Sequence, residues 1–153
     1  MLTEYIPHFV GEYPLTLEAL RAKAPFPLGQ ENTAYAQYFV GTSYLTPLIT
    51  HAVPLYAVSF APGCRNHWHT HTATKGGGQI LLVTAGRGYC QCEGEEVRVI
   101  KPGDVIHIPA NVKHWHGAAK DSAMQHLALE VPGEKTQTLW GEPVDSAFYD
   151  ALS

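Results

Sequence analysis

The chain has 153 residues, enough for one domain with a proper core, and its apolar share of 45% is that of an ordinary globular protein. Ten basic residues against 14 acidic ones give a net charge of −4, and no run of Lys or Arg could follow a phosphate backbone, so nucleic acid is not an expected partner. No apolar stretch approaches the ~20 residues that span a bilayer, and MLTEYIPHFV lacks the basic start and long apolar centre of a secretory signal, so a cytoplasmic protein is expected.

In chain order, residues 15–24 predict a short helix. Leu15, Leu17 and Leu20 alternate with Glu18, Arg21 and Lys23 in a rough amphipathic pattern, and Pro25 and Pro27 end it. Between Tyr35 and Ile49 the sequence turns aromatic and β-branched, with Gly41 and Pro47 as interruptions, which predicts a strand pair. Such a segment would cover the domain or add a strand to a neighbouring copy, so a homodimer is expected. Short strands follow over 55–60, 66–71, 79–84, 89–92, 95–100, 105–108, 113–117 and 123–131, with a tight hairpin at Glu93-Gly94. Regular short strands punctuated by Gly and Pro indicate an all-β antiparallel sandwich or barrel. A last short helix is expected over 145–152, capped by Asp145 or Ser146.

The histidines carry the chemistry. His67, His69 and His71 occupy alternate positions, and in an extended strand alternate side chains share a face. His114 and His116 repeat the spacing, and His126 follows. Packing gains nothing from adjacent imidazoles, because each nitrogen needs a partner and charged neighbours repel, so the cluster points to a metal site. A His-rich tract that binds metal only adventitiously is the competing reading. The isolated His8 and His51 read as surface or core residues. Trp68 and Trp115 alternate with the histidines and are expected to pack on the opposite side, while Arg65 and Lys113 read as solvated, with contact to an anionic substrate as the alternative for one of them. Cys64, Cys90 and Cys92 form no disulfide framework. Cys90 and Cys92 share a strand face, but no second pair completes a zinc site, so all three read as structural thiols.

Two spacings resemble the cupin family. Gly63 is followed after five residues by His69-Thr70-His71, then by Gln79, and six residues later by Gly86; Gly103 is followed after five residues by Pro109, then Asn111 and His114. The resemblance covers about residues 55–131 and implies a small jelly-roll barrel holding a divalent metal. It divides the chain into an extension (1–50, short helix and added strands), a barrel (51–135) and a tail with a short helix (136–153). Two departures stand out. Gln79 occupies the place where most metal-binding cupins have a glutamate, after a lengthened loop, and Asn111 replaces a glycine, as suits a left-handed turn position.

The resemblance implies His69, His71, Gln79 and His114 as metal ligands, all neutral, so a bound ion would keep its full charge. A rival register uses His67 and His69 but breaks the spacing from Gly63. Gln79 has two readings: a ligand through its amide oxygen, or a hydrogen-bond partner of a ligating histidine or water. Nitrogen and oxygen donors suit manganese, iron, cobalt, nickel or zinc. WHTH, GQILLVTAGRG, KHWHGAA and SAMQHLA together look like the small bacterial cupins that include manganese-dependent hydroxynitrile lyases and the cupins associated with carboxymuconolactone decarboxylase. That likeness implies manganese first, and His126 with His116 as proton-moving residues; packed core histidines are the alternative for both. Leu81, Val83 and Leu127 are expected as apolar pocket walls. The expected function is metal-dependent lyase, decarboxylase or isomerase chemistry on a small carbonyl, hydroxy or carboxylate compound. An iron-dependent dioxygenase and a non-catalytic binding protein are the alternatives.

Overall fold

The computed structural model describes residues 15–153. His8 lies outside them. The elements in order are α1 (Leu17–Lys23), β1 (Gln30–Glu31), β2 (Phe39–Val40) after a 3-10 turn at Ala36–Tyr38, β3 (Ser43–Ile49), β4 (Leu55–Phe60), β5 (Arg65–Asn66), β6 (His69–Thr72), β7 (Lys75–Gly76) and β8 (Gln79–Gly86). They continue as β9 (Gly88–Cys92), β10 (Arg98–Ile100), β11 (Val105–Ile108), β12 (Lys113–Ala118), β13 (Met124–Glu130), β14 (Gly133–Glu134), β15 (Gln137–Trp140) and α2 (Ser146–Asp150).

The strands form two main antiparallel sheets. One runs β1-β3-β4-β13-β8-β11; the other runs β10-β9-β12-β5-β2, with β6 pairing both β12 and β15. Apolar residues at alternate positions turn inward from both, so Val58, Phe60, Leu81, Val83, Cys90, Ile100, Ile106 and Ile108 meet in one core. Each such side chain contributes roughly 1.5–3 kcal/mol by leaving water.

The two helices seal the outer faces. Thr16 caps α1 by accepting from the Ala19 amide at 3.0 Å, and Leu20 is buried with Leu15, Leu28, Ala85 and Ala123 against the back of β8. At the far end Asp145 accepts from the Phe148 amide at 2.8 Å, and Tyr149 packs with Tyr89, Trp115 and Val144 behind the second sheet. Both predicted helices are therefore present, and each covers a different sheet.

Three local expectations need correction. The strands between Tyr35 and Ile49 do not pair with one another: β2 pairs β5 and β3 pairs β4, because the left-handed turn at Gly41 carries the chain from one sheet to the other. The run 66–71 is not one strand. It breaks at His67-Trp68, whose amides bond the carbonyls of Tyr38 and Glu142, leaving β5 and β6 as separate segments on β12. After the tight turn at Glu93-Gly94 the chain runs free until Arg98, where pairing with Cys90 begins.

Candidate metal centre

The histidines converge where β6, β12 and β13 bring their inner faces together. Across the β6–β12 ladder His69 stands opposite His114, and period-two alternation then sets His71 and His116 beside them. Ring centroids lie 4.2 Å apart for His69–His114, 5.1 Å for His69–His71 and 5.4 Å for His71–His114. Ligand atoms of His69, His114 and His116 lie within 4.8 Å of one another, a buried group that could hold a metal ion.

The hydrogen bonds decide which nitrogens are available. His69 Nδ1 donates to the His67 carbonyl at 2.8 Å and His114 Nδ1 donates to the Val112 carbonyl at 2.9 Å. A carbonyl only accepts, so in each ring the proton is on Nδ1 and the lone pair on Nε2. His71 Nδ1 is held by the Thr138 hydroxyl at 3.3 Å. His71 Nε2, His114 Nε2 and Gln79 Oε1 are buried with no hydrogen-bond partner. Three buried acceptors left bare together would be costly unless a cation fills the space between them, so this donor set fits a divalent metal. Trp140, on the strand beside β6, covers the His69 ring at a centroid distance of 4.7 Å.

His116 is held differently. Its amide donates to Asn66 Oδ1 at 2.9 Å, Asn66 Nδ2 lies 3.3–3.4 Å from the ring nitrogens, and Nδ1 is 3.1 Å from His126 Nε2. His116 therefore stands between His126 and the His69–His114 pair. Burial drives all five imidazoles toward the neutral form: His114 and His126 fall to about 4, and His69 and His116 well below the usual range, helped by their neighbouring rings. His71 is lowered by burial too, opposed by the nearby Glu130 and by the adjacent Gln79 side chain.

Turn geometry aims two of these groups. Gly78, just before Gln79, has φ +97°, and an added Cβ would meet the Ile108 carbonyl oxygen at 2.6 Å, so only glycine lets β8 begin there. Asn111 takes φ +68° as expected of a glycine substitute, and its side chain clasps Ala73 by two hydrogen bonds of 3.1 Å, fixing the loop after His71.

The rings open into a cavity of about 480 Å³. His69, His71, Gln79, His116 and His126 all reach it. Its apolar wall is not the predicted one: Leu81 and Val83 are buried in the core below, and Leu127 faces away, while Val58, Phe60 and Ala128 face the cavity. The strand parity about His126 puts Ala128 and Glu130 inward and Leu127 outward. Tyr35, Phe39 and Leu45 of the N-terminal segment complete the mouth. Trp115 lies behind the sheet as expected, with Trp68 packed against its cluster. Arg65 is not solvated. It is 6% exposed, bonds the Gly63 carbonyl and Ser146 Oγ, and stacks on Tyr149 at 4.0 Å, because α2 closes over it. Lys113 is half-buried and pairs with Glu142 at 2.6 Å and Glu93 at 3.5 Å. Cys64 and Cys90 are buried thiols raised to about 12 by burial, in keeping with a structural role.

Asn66, Thr138, Trp140 and Glu130 carry no motif, and sequence reasoning passed over them. A signal existed only for Glu130, which shares the parity of His126.

Comparison with known proteins agrees with this architecture. Residues 56–130 match the cupin domain family. The chain is 42% identical over 118 residues to (R)-mandelonitrile lyase of Granulicella tundricola, spanning 74% of this chain and 87% of that protein. A cupin-like protein from Thermotoga maritima superposes with a TM-score of 0.71 at 36% identity, over 82% of this chain and 93% of that one. A DMSP lyase from Ruegeria pomeroyi shares the fold with a TM-score of 0.54 at 21% identity, over 82% and 64% of the two chains. Among the described residues no helix is long and apolar enough to cross a membrane. The chain belongs to the cupin family, with a jelly-roll fold and a histidine cluster able to hold a metal.

Proposed function

We propose that this cupin is a metal-dependent lyase acting on a small hydroxy or carbonyl compound, with His69, His71, His114 and Gln79 as ligands and manganese as the first-choice ion. The observation that carries this is the set of bare acceptors. His71 Nε2, His114 Nε2 and Gln79 Oε1 lack partners, as does His126 Nδ1 on the far side of His116, whereas both nitrogens of His116 have neighbours in Asn66 and His126. That difference supports His71 as a ligand and leaves His116 for proton transfer, although His116 satisfies the distance criterion for a ligand.

A divalent ion at this position would supply the positive charge that polarises a substrate oxygen. The chain supplies the rest. His116 and His126 are neutral at neutral pH, and in their 3.1 Å contact one ring donates to the other's lone pair, so the two act as a unit that can accept one hydroxyl proton and share it between them. In the lyase direction the hydroxyl proton passes to this pair. The carbon–carbon bond then breaks, the carbonyl forms, and the pair returns a proton to the carbanionic leaving group. Val58, Phe60 and Ala128 keep the reacting carbon among apolar atoms. The relative named (R)-mandelonitrile lyase supports cyanohydrin cleavage as the first reaction to assay. The proposal includes a cytoplasmic homodimer built on the N-terminal segment; sedimentation of the whole chain as a monomer would remove the dimer.

Elemental analysis of untagged protein beside His69→Ala tests the metal centre. About one equivalent of manganese that disappears in the variant is expected. Iron in its place would shift the reading to an oxygenase, and no metal after reconstitution would end it.

A further inference from the structure

The cavity is nearly free of formal charge. Its histidines are neutral, and neither it nor the smaller cavity of about 180 Å³ beside it is lined by Lys or Arg among the described residues. One carboxylate lines both: Glu130, at the end of β13. Glu130 stands directly opposite Gln79 across the β13–β8 ladder, so the two side chains share a face about 5 Å apart at their Cβ atoms. Its charge also acts on His71, which borders both cavities.

This placement bears on two problems the ligand set leaves open. Four neutral donors leave a divalent ion uncompensated, and Gln79 is where a carboxylate would otherwise stand. Sites built for carboxylate or phosphate ligands provide guanidinium or ammonium groups to meet them. Here an anionic ligand would meet the Glu130 carboxylate and no side-chain cation.

We infer that Glu130 is the charge selector of this site: from the neighbouring strand it supplies negative charge that the four neutral donors lack, strengthens cation binding, and weakens the binding of carboxylates relative to uncharged hydroxy or carbonyl compounds. The inference rests on the proposed metal centre and narrows its substrate class toward uncharged hydroxy or carbonyl compounds.

Cobalt(II) serves as a visible-absorption probe, titrated into wild type, Glu130→Gln and Glu130→Asp, with acetate and its neutral isostere acetamide then added to each loaded protein. Loss of the charge weakens cobalt binding about tenfold, the factor carried by ~1.4 kcal/mol, while Glu130→Asp retains most of the affinity. Acetate perturbs the Glu130→Gln spectrum at about tenfold lower concentration than the wild-type spectrum, and acetamide treats the two alike. Glu130→Asp keeps acetate sensitivity near that of wild type, a comparison that does not depend on Glu130→Gln folding. Equal acetate sensitivity in wild type and Glu130→Gln, unchanged cobalt affinity, or a Glu130→Asp variant as sensitive to acetate as Glu130→Gln overturns the selector while leaving the metal centre standing. Failure of wild type to bind cobalt overturns the metal centre, and the selector with it.

Discussion

The two faces of β12 differ more than any two regions of the molecule. On the inner face His116 lines the cavity and His114 lies buried beside it, where several buried acceptors go without partners. On the outer face, one residue away, Trp115 is fully buried with Nε1 donating to Gln91 Oε1 at 2.8 Å, and Tyr149 donates to the Ala118 carbonyl at 2.6 Å. Among the described residues Arg65 Nε is the one buried side-chain group left bare on that side. A satisfied polar group stabilises the fold, whereas an unsatisfied buried one costs it and persists where a ligand completes it. The outer face is thus built for stability and the inner face for binding, on a single strand.

Acid gives the largest test of this contrast. In the unfolded chain histidines take up protons below about pH 6.5, but His114 and His126 stay neutral when folded down to about 4. The unfolded state binds more protons in that window, so stability is full above pH 6.5 and is lost as pH falls toward 4, by roughly 3 kcal/mol for each of the two. Denaturant unfolding of the metal-free protein across pH 4–7 should show that slope; a flat profile would mean these rings are solvated. Next comes Trp115→Ala, expected to cost about 4 kcal/mol of stability from chemical denaturation while any folded fraction keeps its full metal content. Metal loss at unchanged stability would mean the two faces are not independent.

His126→Ala should do the reverse, keeping one metal equivalent and lowering kcat by about a hundredfold, or ~2.7 kcal/mol in barrier. A variant with unaltered turnover would return His126 to the core. The smallest effect belongs to Tyr149→Phe, which removes the donor to the Ala118 carbonyl and should cost about 1 kcal/mol in unfolding free energy, with turnover unaffected.

Much of this was legible in the sequence because it is written between near neighbours. Period-two alternation sorted His114 from Trp115, the glycine–histidine spacings identified the family, and Asn111 announced its left-handed turn before its φ of +68° was known. The errors came where distant chain segments decide. Leu127 was expected in the pocket wall together with His126, although adjacent strand residues face opposite ways, and only the register settles which of the two turns inward. Arg65 looked solvated because the helix that buries it lies some eighty residues downstream.

The sequence by itself determined most of the central strands, their turns and the two short helices, since these follow from backbone preferences and local spacing, while the four residues proposed as ligands came from the family resemblance. Tertiary structure alone decided that His116 separates His126 from the cluster, that Trp140 covers His69, and that Glu130 faces Gln79. Those contacts join residues far apart in the chain, and only the packing of two sheets around one core brings them into register.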